Sequence, residues 1–360
     1  MQVTTTLRPA TRTRLDTLTS LRFFAALYVV LHHTFGPDDI PLLHFGYLGV
    51  TFFFVLSGFV LTWSNSTRDG AVAFYRNRWA RVWPLQIVTL IIAALLPYAK
   101  NDNLVTFMQN VTLTQAWTHE AVRSFNWVSW SISNEAFFYL LFPIALAVIA
   151  RLHGPTLVMT GVATAMAQVV FVGLVQRSGI EHVLFLTYDF PAYRLGEFII
   201  GICLARWMQT RGDQPDRGAH MFWVLALFCT AAILALGEYE DQGRALTSVA
   251  ILPGAVALIH WAVTLEKNGG LEWLRARPLV KLGEWSFALY LVHMLVLRPI
   301  AAAIGLERAA YFPVAWGIVA VVLCVAASAL ASELVEKPLE RVLRSPRRPI
   351  EPRAVTADPM

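Results

Sequence analysis

The chain has 360 residues, of which 56% are apolar and only 15% charged, and its mean hydropathy is +0.54. A soluble domain carries about 25% charged residues, so the composition argues against a soluble enzyme, a nucleic-acid-binding protein and a disordered chain. The net charge of +5 then reads as a property of membrane topology and calls for no nucleic-acid partner.

A bilayer-spanning helix needs about 17 to 25 mainly apolar residues. On that criterion the sequence predicts about ten spans, at roughly 18–34, 47–63, 81–98, 131–150, 156–176, 191–208, 220–237, 246–265, 281–300 and 312–333. The expected class is all-α: a polytopic protein of the lipid bilayer, with a short tail over 1–17, a membrane domain over 18–333 and a basic, disordered tail over 334–360. The first apolar run is interrupted by Arg22, His32 and His33 and has no small-residue cleavage site after it, so it reads as a span and not as a signal peptide. The stretch from Leu104 to Trp117 is too short and too polar to cross, and is expected to be an interfacial or re-entrant piece inside the longest loop. Lys and Arg favour the termini and the even-numbered loops over the odd ones by close to four to one, which predicts that both termini are cytoplasmic. The expected location is a plasma membrane, bacterial inner or cytoplasmic. Cys203, Cys229 and Cys324 lie in apolar runs without paired spacing and read as small buried hydrophobes, with no metal site implied.

Ionisable side chains within spans cost roughly 2.5–3.5 kcal/mol each on insertion scales, so they are functional candidates by default. Here they are Arg22, His32 and His33, then Glu135, Arg194, Glu197 and His260, then His293 and Arg298. Eleven residues separate Arg22 from His33, which returns them to within about 20° of one helix face and about 16 Å apart along its axis. His33, Glu135, Arg194, Glu197 and His293 are expected at one depth in the outer half of the membrane, as a polar centre. A histidine is the natural general base for a hydroxyl nucleophile, and a carboxylate such as Glu135 could hold its tautomer.

A second cluster, Phe74 to Pro84, stands at the entrance to the third span. Arg78 and Arg81 are three residues apart, hence helix neighbours. Their guanidinium forks suit phosphate oxygens, and Trp79 or Trp83 could stack on a base; ordinary positive-inside anchoring accounts for the same residues. A phosphorylated donor held there could send a long arm past Arg22 to His33, and the pantetheine arm of coenzyme A has about that reach. Ser57 is polar in mid-span, where packing between helices is the commoner use of a small residue.

Taken together, these residues resemble the acyltransferase 3 family of integral membrane acyltransferases. Arg22 and His33 match its Arg-x10-His signature, and Phe52 to Phe59 is similar to its second-span motif. Arg78-Trp-Ala-Arg81 matches Arg-x-x-Arg, and Trp130-Ser-Ile-Ser-Asn-Glu135-Ala-Phe-Phe-Tyr139 matches Trp-Ser-x-x-x-Glu-x-x-Phe-Tyr. Gly283 to His293 resembles its late Gly-x-x-Ser-x-x-x-Tyr-x-x-His block, and Glu336-Lys-Pro338 its closing motif. Where many members have Asp-Gly-Leu-Arg, this chain has Thr19-Ser20-Leu21-Arg22.

The resemblance implies ten core helices and the stand-alone form of the family, without a C-terminal hydrolase-like domain. It also implies transfer of an acetyl or other short acyl group from acyl-CoA to a hydroxyl of a sugar-containing acceptor, with no permanently bound cofactor. Arg22, His33 and Glu135 are the expected catalytic residues, and Arg78, Arg81 and Trp79 the expected donor contacts. His293, Arg194 and Ser57 are candidate substrate contacts. The competing reading from another class is a transporter or flippase that uses the buried charges as a proton or substrate pathway.

Overall fold

The computed structural model of the protein describes residues 14–36, 40–64, 70–96, 103–211, 219–236, 241–307 and 311–345; residues 1–13 and 346–360 of the expected tails lie outside these. Among the described residues every regular element is helical. In chain order these are α1 (Asp16–Thr34), α2 (Leu48–Ser64), α3 (Ala71–Ala94), α4 (Leu104–Val111), α5 (Trp130–Ile149), α6 (Pro155–Arg177) and α7 (Pro191–Arg211). They are followed by α8 (Ala219–Leu236), α9 (Asp241–Ala250), α10 (Leu252–Lys267), α11 (Arg277–Ala303), α12 (Val314–Ala331) and α13 (Lys337–Leu343).

Six helical stretches among the described residues are long and apolar enough to cross a bilayer: Leu42–Ser64, Trp127–Ile149, Pro155–Arg177, Arg244–Lys267, Arg277–Ala303 and Val314–Leu343. Helix also stands at the other positions expected to span. There α1, α3 and α7 are diluted by the ionisable residues Arg22, His32 and His33, by Arg76, Arg78 and Arg81, and by Arg194, Glu197 and Arg206. The eighth expected span is two helices, α9 and α10, because Pro253 suits the first turn of a helix and interrupts the interior of one.

Two boundaries differ from expectation in ways that matter for the site. Helix α3 begins at Ala71, ten residues before the apolar run at 81. Its first turns are amphipathic: Phe74 stacks on Phe142 at 5.2 Å between ring centroids, and the Tyr75 hydroxyl donates to the Leu140 carbonyl. An apolarity criterion cannot register such a stretch, and Arg78 and Arg81 are therefore set on a continuous helix. The tail is also not disordered from 334 onward. A π-helical turn, Ser332–Glu336, leads into α13. Charge pairing holds it down: Lys337 reaches Glu284 at 3.0 Å and Glu333 at 2.8 Å, and Arg76 Nε donates to the Leu343 carbonyl at 2.7 Å.

Small residues set the closest helix crossings, as expected where backbones pack without a hydrophobic drive between helices. On α2 and α7, a Cβ on Gly58 would collide with the Phe198 carbonyl oxygen, and one on Gly201 with that of Val55. On α11, Gly283 lies directly against the Thr19 backbone of α1. Replacing Gly201 with alanine is expected to destabilise the protein by about 1–3 kcal/mol through overpacking, read as a lower unfolding midpoint in detergent. An unchanged midpoint would show that α2 and α7 do not pack this closely.

The long segment before α5 is a packed plug. Asn103 and Thr106 form a reciprocal cap on α4, and a buried polar network then closes the segment on itself. Asn110 Nδ2 donates to Ser124 Oγ at 2.8 Å, Gln115 Nε2 to the Ser129 carbonyl at 2.9 Å, and Ser133 Oγ to the Leu113 carbonyl at 2.7 Å. Asn126 Nδ2 ties it to α11 through the Leu291 carbonyl, at 2.9 Å. Buried polar groups of this kind specify one arrangement because each lost partner costs about 1–3 kcal/mol. This plug occupies the layer above α5, so α5 starts inside the bundle.

Candidate functional site

Four helices, α1, α2, α5 and α11, enclose a narrow cavity of about 40 Å³ lined by Arg22, Phe53, Phe54, Ser131, Glu135, Ser286, Phe287 and Tyr290. It is wide enough for a few water molecules, and Arg22, Ser131, Glu135, Ser286 and Tyr290 contribute polar atoms to a largely apolar wall. The block from Trp130 to Tyr139 supplies one wall, with a separate task for each polar member. Ser131 Oγ donates to the Tyr290 hydroxyl at 2.9 Å, and Tyr290 in turn donates to the Val128 carbonyl at 3.0 Å, joining α11 to the start of α5. Asn134 Nδ2 donates to the Asp189 carbonyl at 3.0 Å. Glu135 meets the Tyr139 hydroxyl, which also hydrogen-bonds Ser57, and lies in the field of Arg22, Arg81 and Arg78.

Tyr290 leads from this cavity to a histidine pair. His293 stands one turn further along α11, its ring 5.9 Å from that of Tyr290. Its Nδ1 is 2.6 Å from the Tyr290 carbonyl oxygen and 3.2 Å from that of Leu289. A carbonyl only accepts, so Nδ1 of His293 carries the proton, and in the neutral ring Nε2 is a lone pair. That Nε2 faces His33 Nδ1 at 3.2 Å, with the rings stacked at 5.2 Å and 28°. In the neutral pair His33 therefore donates from Nδ1 to His293, and its ring also hydrogen-bonds the Val29 carbonyl one turn back on α1. Two backbone carbonyls on α11 thus fix the tautomer of a side chain on α1.

The arginine cluster lies at the other end of the cavity. Arg81 pairs with both Glu336 and Glu340 from the C-terminal turns, and its guanidinium is 5.3 Å from the Phe287 ring centroid. Arg78 differs: its Nε is buried and takes no hydrogen bond among the described residues. Trp79 faces outward, 47% exposed, and stacks on Trp83 at 5.5 Å, so it is not gathered into this cluster.

The expected residues therefore divide into groups. Arg22, Glu135, Ser57, Arg78 and Arg81 converge at one end; His33 and His293 meet at the other. Glu135 does not stand beside His33, as the triad-like expectation had it. The electrostatic neighbours of His33 are His293, His32 and Arg123, and those of Glu135 are the arginines and Tyr139. The first turns of α5 are buried in the bundle, and Glu135 there packs toward Arg22 and Tyr139. Arg194 and Glu197 are not part of the centre either. They form an ion pair through Nη1 and Oε1 on α7, both fully buried, with the guanidinium 4.6 Å from the Tyr188 ring centroid and 5.2 Å from that of Phe54; Nε and Nη2 of Arg194 and Oε2 of Glu197 make no hydrogen bond among the described residues. His32 turns away to donate from Nδ1 to the Leu43 carbonyl at 2.9 Å. His260 is buried against Trp207.

Residue-pattern reasoning missed Arg123 and Asp189. Arg123 Nη2 lies 2.7 and 2.9 Å from the two carboxylate oxygens of Asp189, which is 3% exposed. Burial works against the guanidinium charge of Arg123 and Asp189 outweighs it, so its pKa is raised. Both residues come from connecting segments, and no spacing in the sequence announces the pair.

The chain belongs to the acyltransferase 3 family, whose acyltransferase domain matches residues 15–333. With its apolar helices, this makes it a membrane acyltransferase. Among relatives, it is 32% identical to acyltransferase MdmB of Streptomyces mycarofaciens, with 96% of each chain covered. It is 28% identical to the exopolysaccharide production protein ExoZ of Rhizobium meliloti (strain 1021), over 72% of this chain and 78% of that one. No solved structure matches it.

Proposed function

We propose that the protein transfers an acetyl or other short acyl group from acyl-CoA to a hydroxyl of a sugar-containing acceptor, within a bacterial plasma membrane. The candidate acceptors are a polysaccharide, its lipid-linked precursor or a glycosylated metabolite such as a macrolide, and the name of the relative ExoZ favours the polysaccharide class. The topology proposed with it is ten spans with both termini in the cytoplasm, so that Arg78 and Arg81 face the compartment that holds coenzyme A.

The observation that carries this reading is the His33–His293 pair, reached through Tyr290 from a cavity that Arg22 and Glu135 line, with Arg81 among the electrostatic neighbours of Arg22. In the proposed reaction His33 Nε2 takes the proton of the acceptor hydroxyl as its oxygen attacks the thioester carbon. When the carbon–sulfur bond breaks, that proton passes to the departing coenzyme A sulfur. His293 acts as a positioning residue for His33. The electrostatic neighbours of Arg22 are Arg81, Glu135, Tyr139 and Glu336, and about 16 Å of helix separates it from His33. Arg22 therefore suits the donor arm better than an oxyanion beside His33, with Glu135 holding its guanidinium. Ser57, bonded to Tyr139, lines the same donor end.

Arg78 and Arg81 are expected to respond differently to substitution. With Arg78→Ala, the KM for acetyl-CoA should rise about 10- to 150-fold, the equivalent of a lost charge-assisted hydrogen bond, at an unchanged unfolding midpoint. Arg81→Ala should lower the midpoint, because it strands the carboxylate of Glu336, which is 2% exposed. Purified protein in nanodiscs with labelled acetyl-CoA tests both. If wild type binds none of a series of acyl-CoA donors, the acyl-CoA reading is wrong and the acyl donor belongs to another chemical class.

A further inference from the structure

Arg123 is built into its position at considerable cost. It lies in the plug between α4 and α5, where Ala121, Val122 and Ser124 are buried on either side of it. Two residues on, Phe125 adopts φ +51°, a left-handed conformation that costs a bulky residue about 1–3 kcal/mol unless its surroundings impose it. Ser124 and Asn126, bonded to Asn110 and to the Leu291 carbonyl, impose it here. The guanidinium lies 5.8 Å from the ring centroids of both Trp127 and Trp130, and Asp189 grips it through Nη2 alone. Nε and Nη1 are not used by that carboxylate, and the side chain remains 36% exposed. Trp130, which its guanidinium faces, is followed by Ser131, bonded to Tyr290, whose ring is 5.9 Å from that of His293; this puts a fixed, partly open guanidinium on the histidine side of the site, within electrostatic range of His33.

We infer that Arg123, locked by Asp189, is a specificity-determining contact for the acceptor, donating hydrogen bonds to an oxygen next to the hydroxyl that is acylated. The inference rests on the acyl-transfer reading above and adds to it the recognition of a polyhydroxylated acceptor. A guanidinium fork with unused donors selects ligands that bring oxygen acceptors, and a site built to pair such donors discriminates strongly against analogues that lack them. The ion pair with Asp189 makes the fork rigid, so little side-chain entropy is lost on binding. A lysine in this position would be a point charge without the fork.

The test measures acetyl transfer from labelled acetyl-CoA to two probes, n-octyl β-D-glucopyranoside and 1-octanol, by the full-length protein in nanodiscs. Arg123→Lys should raise the KM for the glucoside at least tenfold, change transfer to 1-octanol less than twofold and leave the KM for acetyl-CoA unchanged. Asp189→Asn, which frees the guanidinium without removing it, should shift the same parameter in the same direction. Equal losses with both probes, or no change with either, would overturn the assignment, as would a wild type that acetylates 1-octanol but not the glucoside, or that binds acetyl-CoA and acetylates neither. A wild type that binds no acyl-CoA at all would overturn the underlying acyl-CoA reading, and the assignment with it.

Discussion

Alanine at position 33 should lower turnover by about 10²–10⁴-fold, the usual contribution of a positioned general base, while acetyl-CoA still binds with wild-type affinity. The reason for the split is distance. The arginine end of the cavity, where Arg22, Glu135 and Arg81 meet, does not include His33, so removing the imidazole leaves the donor site whole. His293→Ala should also lower turnover, by a smaller factor, because it removes one of two partners of the His33 ring while the Val29 carbonyl still holds the other. His293→Gln offers an amide oxygen in nearly the same place and should recover part of the loss. A purely structural role for His293 would show no such rescue. Single-turnover release of free coenzyme A, measured beside equilibrium binding of the donor, separates these effects. Loss of donor binding in His33→Ala would refute the division of the site into two ends.

The second large effect is on stability. Arg194→Ala should destabilise the protein by about 3–5 kcal/mol, because it leaves the carboxylate of Glu197 buried without its counter-ion. Replacing both partners with methionine should restore most of that loss, since an apolar pair of similar volume removes the need to desolvate two charges. Thermal unfolding of the two variants in one detergent reads the difference directly. The alternative role for Arg194, as a substrate contact, makes the opposite prediction: the alanine variant would keep its unfolding midpoint and lose acceptor use, and the methionine pair would stay inactive. Thr51 and the rings of Tyr188, Phe54 and Trp130 surround the guanidinium, which favours the structural role.

Charged residues in apolar runs were a sound guide to what is unusual in this chain but not to which of them act together. Arg194 and Glu197 stood out as clearly as Arg22 and Glu135, because burial of a charge looks the same in sequence whether it serves packing or chemistry. Arg123 and Asp189 did not stand out at all. They lie in connections outside the expected spans, and only the plug and the π-helical turn before α7 bring them together. The tail shows the converse: Arg and Pro residues there suggested disorder, yet Glu336 and Glu340 find Arg81 across the fold and order the first turns.

The sequence by itself determined that this is a helical membrane protein and which family it belongs to, since hydropathy and short-range motifs are local properties that survive without coordinates. It also determined the candidates at each end of α1, because the turn of an α-helix sets their faces and separation. Tertiary structure alone decided that His33 meets His293 and not Glu135, since that pairing joins α1 to α11 across 260 positions. It likewise decided that Arg81 is matched by carboxylates while the buried Nε of Arg78 is not. Pairings of this kind come from long-range packing, where one carbonyl or one carboxylate in reach selects a tautomer or neutralises a charge, and no local pattern encodes them.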